Sequence, residues 1–195
     1  MRFRKARGGR LTADVEPVEA AVLGQCAGDL LALLADEEPD EEPDEGTDEP
    51  LQDPLAALVG MPSGPVEAPD DPALQRLLPD AYGDDDPEAS HEFRRYTDAD
   101  LRGGKRAHAG TVLATLPAEG GRMVIDRDEA DAWLGCLNDL RLVLGTRLEV
   151  TEDLDPDDAL TSTGADDDPR LQALQVYGWL GWLQESLISC LSPRR

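Results

Sequence analysis

Cysteine and histidine are scarce in this chain, three and two among 195 residues. Cys26, Cys136 and Cys190 are far apart and form no CxxC, an odd set that suits a reducing cytoplasm with all three as small core hydrophobes. Neither His91 nor His108 has a cysteine or second histidine at ligand spacing, so neither a metal nor a cofactor is expected. Apolar runs are short as well. None approaches the roughly 20 residues that a membrane span needs, and no apolar segment follows the opening "MRFRKARGGR" as a secretory signal requires. Basic charge is the largest deficit: 18 Lys and Arg face 42 Asp and Glu, giving a formal net charge of -24 and a pI near 4.2. Such a polyanion repels DNA and anionic lipid at the range of a Debye length. A membrane is therefore not expected as partner, and nucleic acid is disfavoured.

Most of the remaining pattern is helical. Aspartate caps a helix because its carboxylate accepts the orphan N–H groups of the first turn, and proline suits the first helical position. Asp53-Pro54, Asp71-Pro72, Asp86-Pro87 and Asp168-Pro169 each read as a helix start, Asp126 with Glu129 forms a capping box, and Thr97 with Asp100 is a weaker copy. The stripe Val18, Val22, Cys26, Leu30 and Leu33 predicts a helix over 16–35. Further helices are expected over 87–96 and 98–116, broken at Thr97, and over 127–150 and 169–191, with short ones at 54–60 and 72–78. Gly103 and Gly104 weaken the 98–116 segment by about 1 kcal/mol each. Strand-like pattern is confined to a short hairpin around Gly8-Gly9 and to "GGRMVI" at 120–125.

The expected fold is mainly α, a compact bundle of about five long and two short helices in one domain spanning 1–195. The acidic-proline repeat at 36–50 cannot bury enough apolar surface to order itself and reads as a disordered insertion; 152–168 reads as an acidic loop.

Tests for chemistry fail one after another. A calcium-loop frame from Asp153 places Asp155 and Asp157 correctly but puts Asp158 where glycine is required and Gly164 where the bidentate glutamate belongs. "RGGKR" at 102–106 lacks the earlier glycine and the following Ser or Thr of a phosphate loop, since Ala99 and Arg106 stand there. There is no GxSxG, and His108 falls on the stripe Leu101, His108, Val112 as a helix-edge residue. The chain is not expected to be an enzyme.

One polar set stands out inside "LNDLRLVLGTRLEV" at 137–150. Ala130, Trp133, Leu137, Leu140, Leu144 and Leu148 form one face, Leu142 and Val143 lie outside it, and such a helix is expected at the centre of the bundle. Asn138, Asp139, Arg141 and Arg147 then form either a buried polar network that fixes helix packing or a ligand or catalytic site; Gly135 and Gly145 admit close neighbours. On the last helix the stripe Ala173, Val176, Tyr177, Leu180, Leu183, Leu187 and Leu191 faces the core. Trp182 points away, beside Leu171, Gln175 and Trp179, and needs cover either from the N-terminal segment of the same chain or from a protein partner or a second copy, for which these four are the candidate interface.

"LLPDAY" at 77–82, "EFRRYTDADLR" at 92–102, "WLGCLNDLRLVLGTRLEV" at 133–150 and "VYGWLGWLQESLI" at 176–188 together resemble an actinobacterial family, the domain of unknown function numbered two thousand and seventeen. The resemblance implies an all-helical cytoplasmic protein, often encoded beside the Clp protease adaptor ClpS and near sulfur-carrier and cysteine-synthesis genes. Some members carry the label of transcriptional regulator, and no catalytic residue comes with the family. The acidic insertions and Gly103-Gly104 depart from its pattern. Three functions remain open: a protein-binding or regulatory factor, a DNA-binding regulator using Arg2 to Arg10 and a helix-turn-helix within 87–116, and a site built on Asp139, Arg141 and Arg147.

Overall fold

The computed structural model describes residues 1–35, 68–79, 87–151 and 168–192. The acidic insertion at 36–50, the short helix at 54–60 and nearly all of the 152–168 loop lie outside these residues. Chain order is β1 (Arg4–Lys5), a 3₁₀ turn (Arg7–Gly9), β2 (Leu11–Val15), α1 (Pro17–Leu33), α2 (Pro72–Leu77), α3 (Pro87–Thr115), β3 (Gly121–Ile125), α4 (Arg127–Arg147) and α5 (Pro169–Leu191). The protein is mainly helical, with one small antiparallel sheet ordered β1-β2-β3.

Local signals set most helix starts. The Asp71 carboxylate accepts from Ala73 N–H at 2.7 Å, and Asp168 from Arg170 N–H at 2.9 Å. In the capping box of α4, Asp126 accepts from Glu129 N–H at 2.9 Å while Glu129 accepts from Asp126 N–H at 2.8 Å. That helix stops at Arg147 rather than Val150. Glu149 takes the left-handed conformation at φ 53°, and the N–H groups of Val150 and Glu149 return to the carbonyls of Gly145 and Thr146 at 2.9 and 3.2 Å. This is a Schellman closure with a non-glycine at its strained position.

Two expectations need correction. Thr97 does not divide two helices, because its hydroxyl donates back to the Phe93 carbonyl at 2.9 Å and Asp98 pairs with Arg102 at 2.6 Å one turn on. Both side chains are satisfied inside a continuous 29-residue helix. In α1 the fully buried face is Ala20, Leu23, Ala27, Leu30 and Leu34, whereas Val18 is 64% exposed. Val22 and Cys26 are half-buried at the margin of that face.

The sheet covers one end of the bundle. Leu11, Ala13 and Val15 of β2 alternate inward with Met123 and Ile125 of β3, and the register pairs Thr12 with Val124 and Asp14 with Arg122. Phe3 meets Trp133 of α4 edge-on, with ring centroids 5.6 Å apart. Gly120, at φ 79°, makes the turn into β3 where a Cβ would lie 2.8 Å from Pro17 N and 2.9 Å from the Val15 carbonyl, so only glycine fits.

Candidate functional site

Helix α4 packs against α1, α2, α3 and α5, the central position expected of it. Ala130, Trp133, Cys136, Leu137 and Leu140 are buried, and the Trp133 indole N–H donates to the Thr115 hydroxyl at 2.8 Å, satisfying its one polar atom.

The four polar residues of α4 do not converge. Asp139, 3% exposed, accepts from Lys105 Nζ of α3 at 2.7 Å. Arg141 turns to α5, where it donates to Gln184 Oε1 at 2.7 Å and to the Tyr177 hydroxyl at 3.4 Å, with its guanidinium 5.1 Å above the tyrosine ring. Its Nε is buried and has no partner. Arg147 reaches the Asp71 carboxylate, the same group that caps α2. Asn138 is exposed. The arrangement makes three separate ties, to α3, to α5 and to the start of α2.

Glycines of α4 make room for His108 and for Tyr177. A Cβ on Gly135 would lie 2.5 Å from His108 Nδ1, and one on Gly145 would lie 3.3 Å from the Tyr177 ring. His108 is thus a half-buried residue wedged against the α4 backbone.

Electrostatics follow from these positions. Burial pulls the Asp71 carboxyl upward, but the Ala73 N–H, the Arg147 guanidinium and the Leu74 N–H together outweigh it and hold the group below the usual carboxylate range. Burial, then the Asp139 carboxylate and the Cys26 thiol nearby, push the Cys136 thiol up to about 12. Burial and then Asp29 raise Cys26 as well. All three cysteines are free thiols. Cys26 also lines a cleft of about 360 Å³ between α1 and α4, walled by Leu30, Leu33, Leu140, Val143 and Leu144 with Asp29 and Arg147 at its rim.

On α5, Trp182 is 48% exposed and points outward, and Ile188, which the sequence pattern did not single out, is 40% exposed. Their companions are partly covered within the chain: Trp179 packs on the main core, Leu171 packs on Leu148 and Leu174, and Gln175 is half-buried. The basic start is no free arm. Arg4 and Lys5 form β1, and Ala6 N–H donates to the Arg10 carbonyl at 2.8 Å across the turn. Among the described residues no helix is long and apolar enough to cross a membrane.

The fold and these ties define a helical protein built around one central helix, with a small sheet at one end. The chain belongs to the family described as Domain of unknown function (DUF2017), which matches residues 1–191. It is 34% identical over 200 residues to a protein of Mycobacterium bovis named "Oxidative stress regulator AosR", covering 96% of this chain and 85% of that one. A protein of Mycobacterium tuberculosis (strain CDC 1551 / Oshkosh) with the same name matches with the same figures. No solved structure matches the chain.

Proposed function

We propose that this protein is a non-enzymatic regulator of the response to oxidative stress that works in the cytoplasm by binding another protein. The carrying observation is that relatives named as oxidative stress regulators match almost the whole chain. The geometry supports the same reading. Asp139, Arg141 and Arg147 each serve a separate helix contact, which favours a structural role for them over a ligand or catalytic site. The Cys136 thiol is almost wholly protonated at neutral pH, so detection of an oxidant falls more naturally to a partner than to this residue.

The DNA-binding alternative loses its helix-turn-helix, since 87–115 is one uninterrupted helix. The family resemblance extends the proposal to Clp proteolysis or sulfur metabolism as the process controlled. A deletion strain tests the core reading: it should lose viability under peroxide and regain it on complementation with the wild-type gene. Unchanged peroxide tolerance would reject a role in that response. Affinity capture of the full chain from peroxide-treated and untreated cells then asks whether a Clp component or a sulfur-assimilation protein is held.

A further inference from the structure

The chain is strongly acidic, yet one end of it is not. Pairing of β2 with β3 carries Arg122 beside the hairpin, so Arg4, Lys5, Arg7, Arg10, Arg122 and Arg127 gather around the sheet from segments more than a hundred residues apart. All six are exposed. Two have acidic partners, Arg4 with Asp14 at 3.5 Å and Arg127 with Asp131 at 3.6 Å, and all four side chains of these pairs are more than half exposed, where such contacts contribute little. Lys5 donates to the Ser192 carbonyl at 3.0 Å. Among the described residues Arg7, Arg10 and Arg122 pair with no carboxylate. An open groove of about 650 Å³ runs between Lys5, Ala6, Arg7, Thr12 and Arg122. Val124 stands on the same outer face beside Thr12 and is 47% exposed.

We propose that this sheet face is the docking surface for a carboxylate-rich peptide segment of a partner protein, one that carries an apolar side chain for Val124. The proposal rests on the reading above that the protein acts through a protein partner, and it names the chemistry of that partner. Uncompensated guanidinium groups recognise carboxylates through paired, planar hydrogen bonds, and the complementary potential acts over about a Debye length, ~8 Å at physiological salt. Size decides against nucleic acid. Duplex binding draws on many phosphate contacts over a long track, and here, beyond the single Asp14 that stands opposite Arg122, a track leaving the groove meets exposed Glu16, Glu119, Asp126 and Asp128 under a net charge of -24. A short peptide stays among the cations. Val124 adds a contact that a phosphate backbone cannot use but a leucine or valine can.

The test is fluorescence anisotropy of the full chain with a labelled short peptide alternating glutamate and leucine, with its glutamine–leucine counterpart, duplex DNA and phosphatidylserine vesicles as further probes. Binding of the glutamate peptide alone is expected, weakening as salt rises from about 50 to 200 mM. In Arg7→Glu/Arg122→Gln it should fall at least about tenfold with a melting curve close to that of the wild type, because both side chains are exposed and glutamine sets no like charge opposite Asp14. Equal binding of the glutamine peptide, tighter binding of duplex or vesicles, or full binding by this variant overturns the proposal. Should this variant still capture the same proteins from lysate, this face is not the docking surface while the regulatory reading stands. Unchanged peroxide tolerance of the deletion strain sinks that reading without touching the peptide result.

Discussion

Removing Lys105 should harm the protein more than removing the carboxylate it neutralises. The Asp139 side chain is 4% exposed and that of Lys105 18%, so the two partners differ in their access to water. In Lys105→Met the carboxylate stays behind in the α3–α4 interface with its cation gone. Breaking a buried pair this way costs about 3–5 kcal/mol, and the partial exposure of the lysine places the expected loss near the lower end, about 3 kcal/mol. For a chain of this length that corresponds to a fall in Tm of about 9 °C. Asp139→Asn keeps an acceptor for the ammonium, which can also turn toward solvent, and should cost only about 1 kcal/mol. The double variant Lys105→Met/Asp139→Leu exchanges the pair for apolar volume and should return to within about 1 kcal/mol of the wild type. Urea and thermal denaturation followed by circular dichroism measure all four proteins. A loss below about 0.5 kcal/mol for Lys105→Met, or a double variant as unstable as that single one, would refute the reasoning, for Asp139 would then be hydrated or the interface unable to close around an apolar pair.

Further outcomes follow from neighbouring residues. Arg141→Lys loses the planar fork that spans Gln184 and Tyr177, so stability should drop by about 1–2 kcal/mol in denaturant melts; an unchanged midpoint would argue that the tie is idle. Glu149→Gly relieves the left-handed residue that closes α4 and should raise stability by about 1 kcal/mol, whereas a loss would mean the side chain makes a contact of greater worth. Because the folded state holds the Cys136 proton up to about pH 12, its contribution to stability is whole below the unfolded thiol range near 8.5 and is lost as pH rises beyond it. Cys136 should therefore resist iodoacetamide at pH 8 until urea is added, and rapid native labelling, mapped by mass spectrometry, would contradict that. Asp71 works in the opposite direction: its depressed folded value stabilises the protein above about pH 4, and the gain disappears as acid protonates it, so Asp71→Asn should flatten the acid limb of the melting profile.

Much of the fold was legible because its signals are local. The Asp-Pro starts of α2 and α5, the capping box of α4 and the glycine turn of the hairpin each act within four residues, and all appear where the sequence puts them. Burial was harder, because it is decided by the neighbour. In α1 the eye follows Val18, Val22 and Cys26, but the folded chain buries the face with Ala20, Leu23, Ala27 and Leu30 and leaves Val18 64% exposed. The partners of the polar set of α4 were hidden for a related reason. Spacing along a helix gives directions, and at 100° per residue Asp139 and Arg141 already point about 160° apart, which was enough to separate them. What spacing could not give were the partners. Lys105 is 34 residues away and Gln184 43, and such pairings exist only once the helices are stacked.

The basic face shows the same limit in its electrostatic form. Net charge is a property of the whole chain, and -24 disfavours a polyanion that must cover much of the surface. Yet a short peptide feels only the charges within about 8 Å, the screening length at physiological salt. Strand pairing alters that local sum. It sets Arg122 opposite Asp14 and two residues along from the Thr12–Val124 pair, next to Arg7 and Lys5, which the sequence shows only as a basic start and a lone arginine in a distant strand. A chain can therefore be acidic in total and cationic where it binds, provided a sheet rather than a continuous basic run assembles the cations. Selectivity then follows from the surroundings, because the acidic residues that ring the face penalise a ligand in proportion to how far it extends beyond the groove.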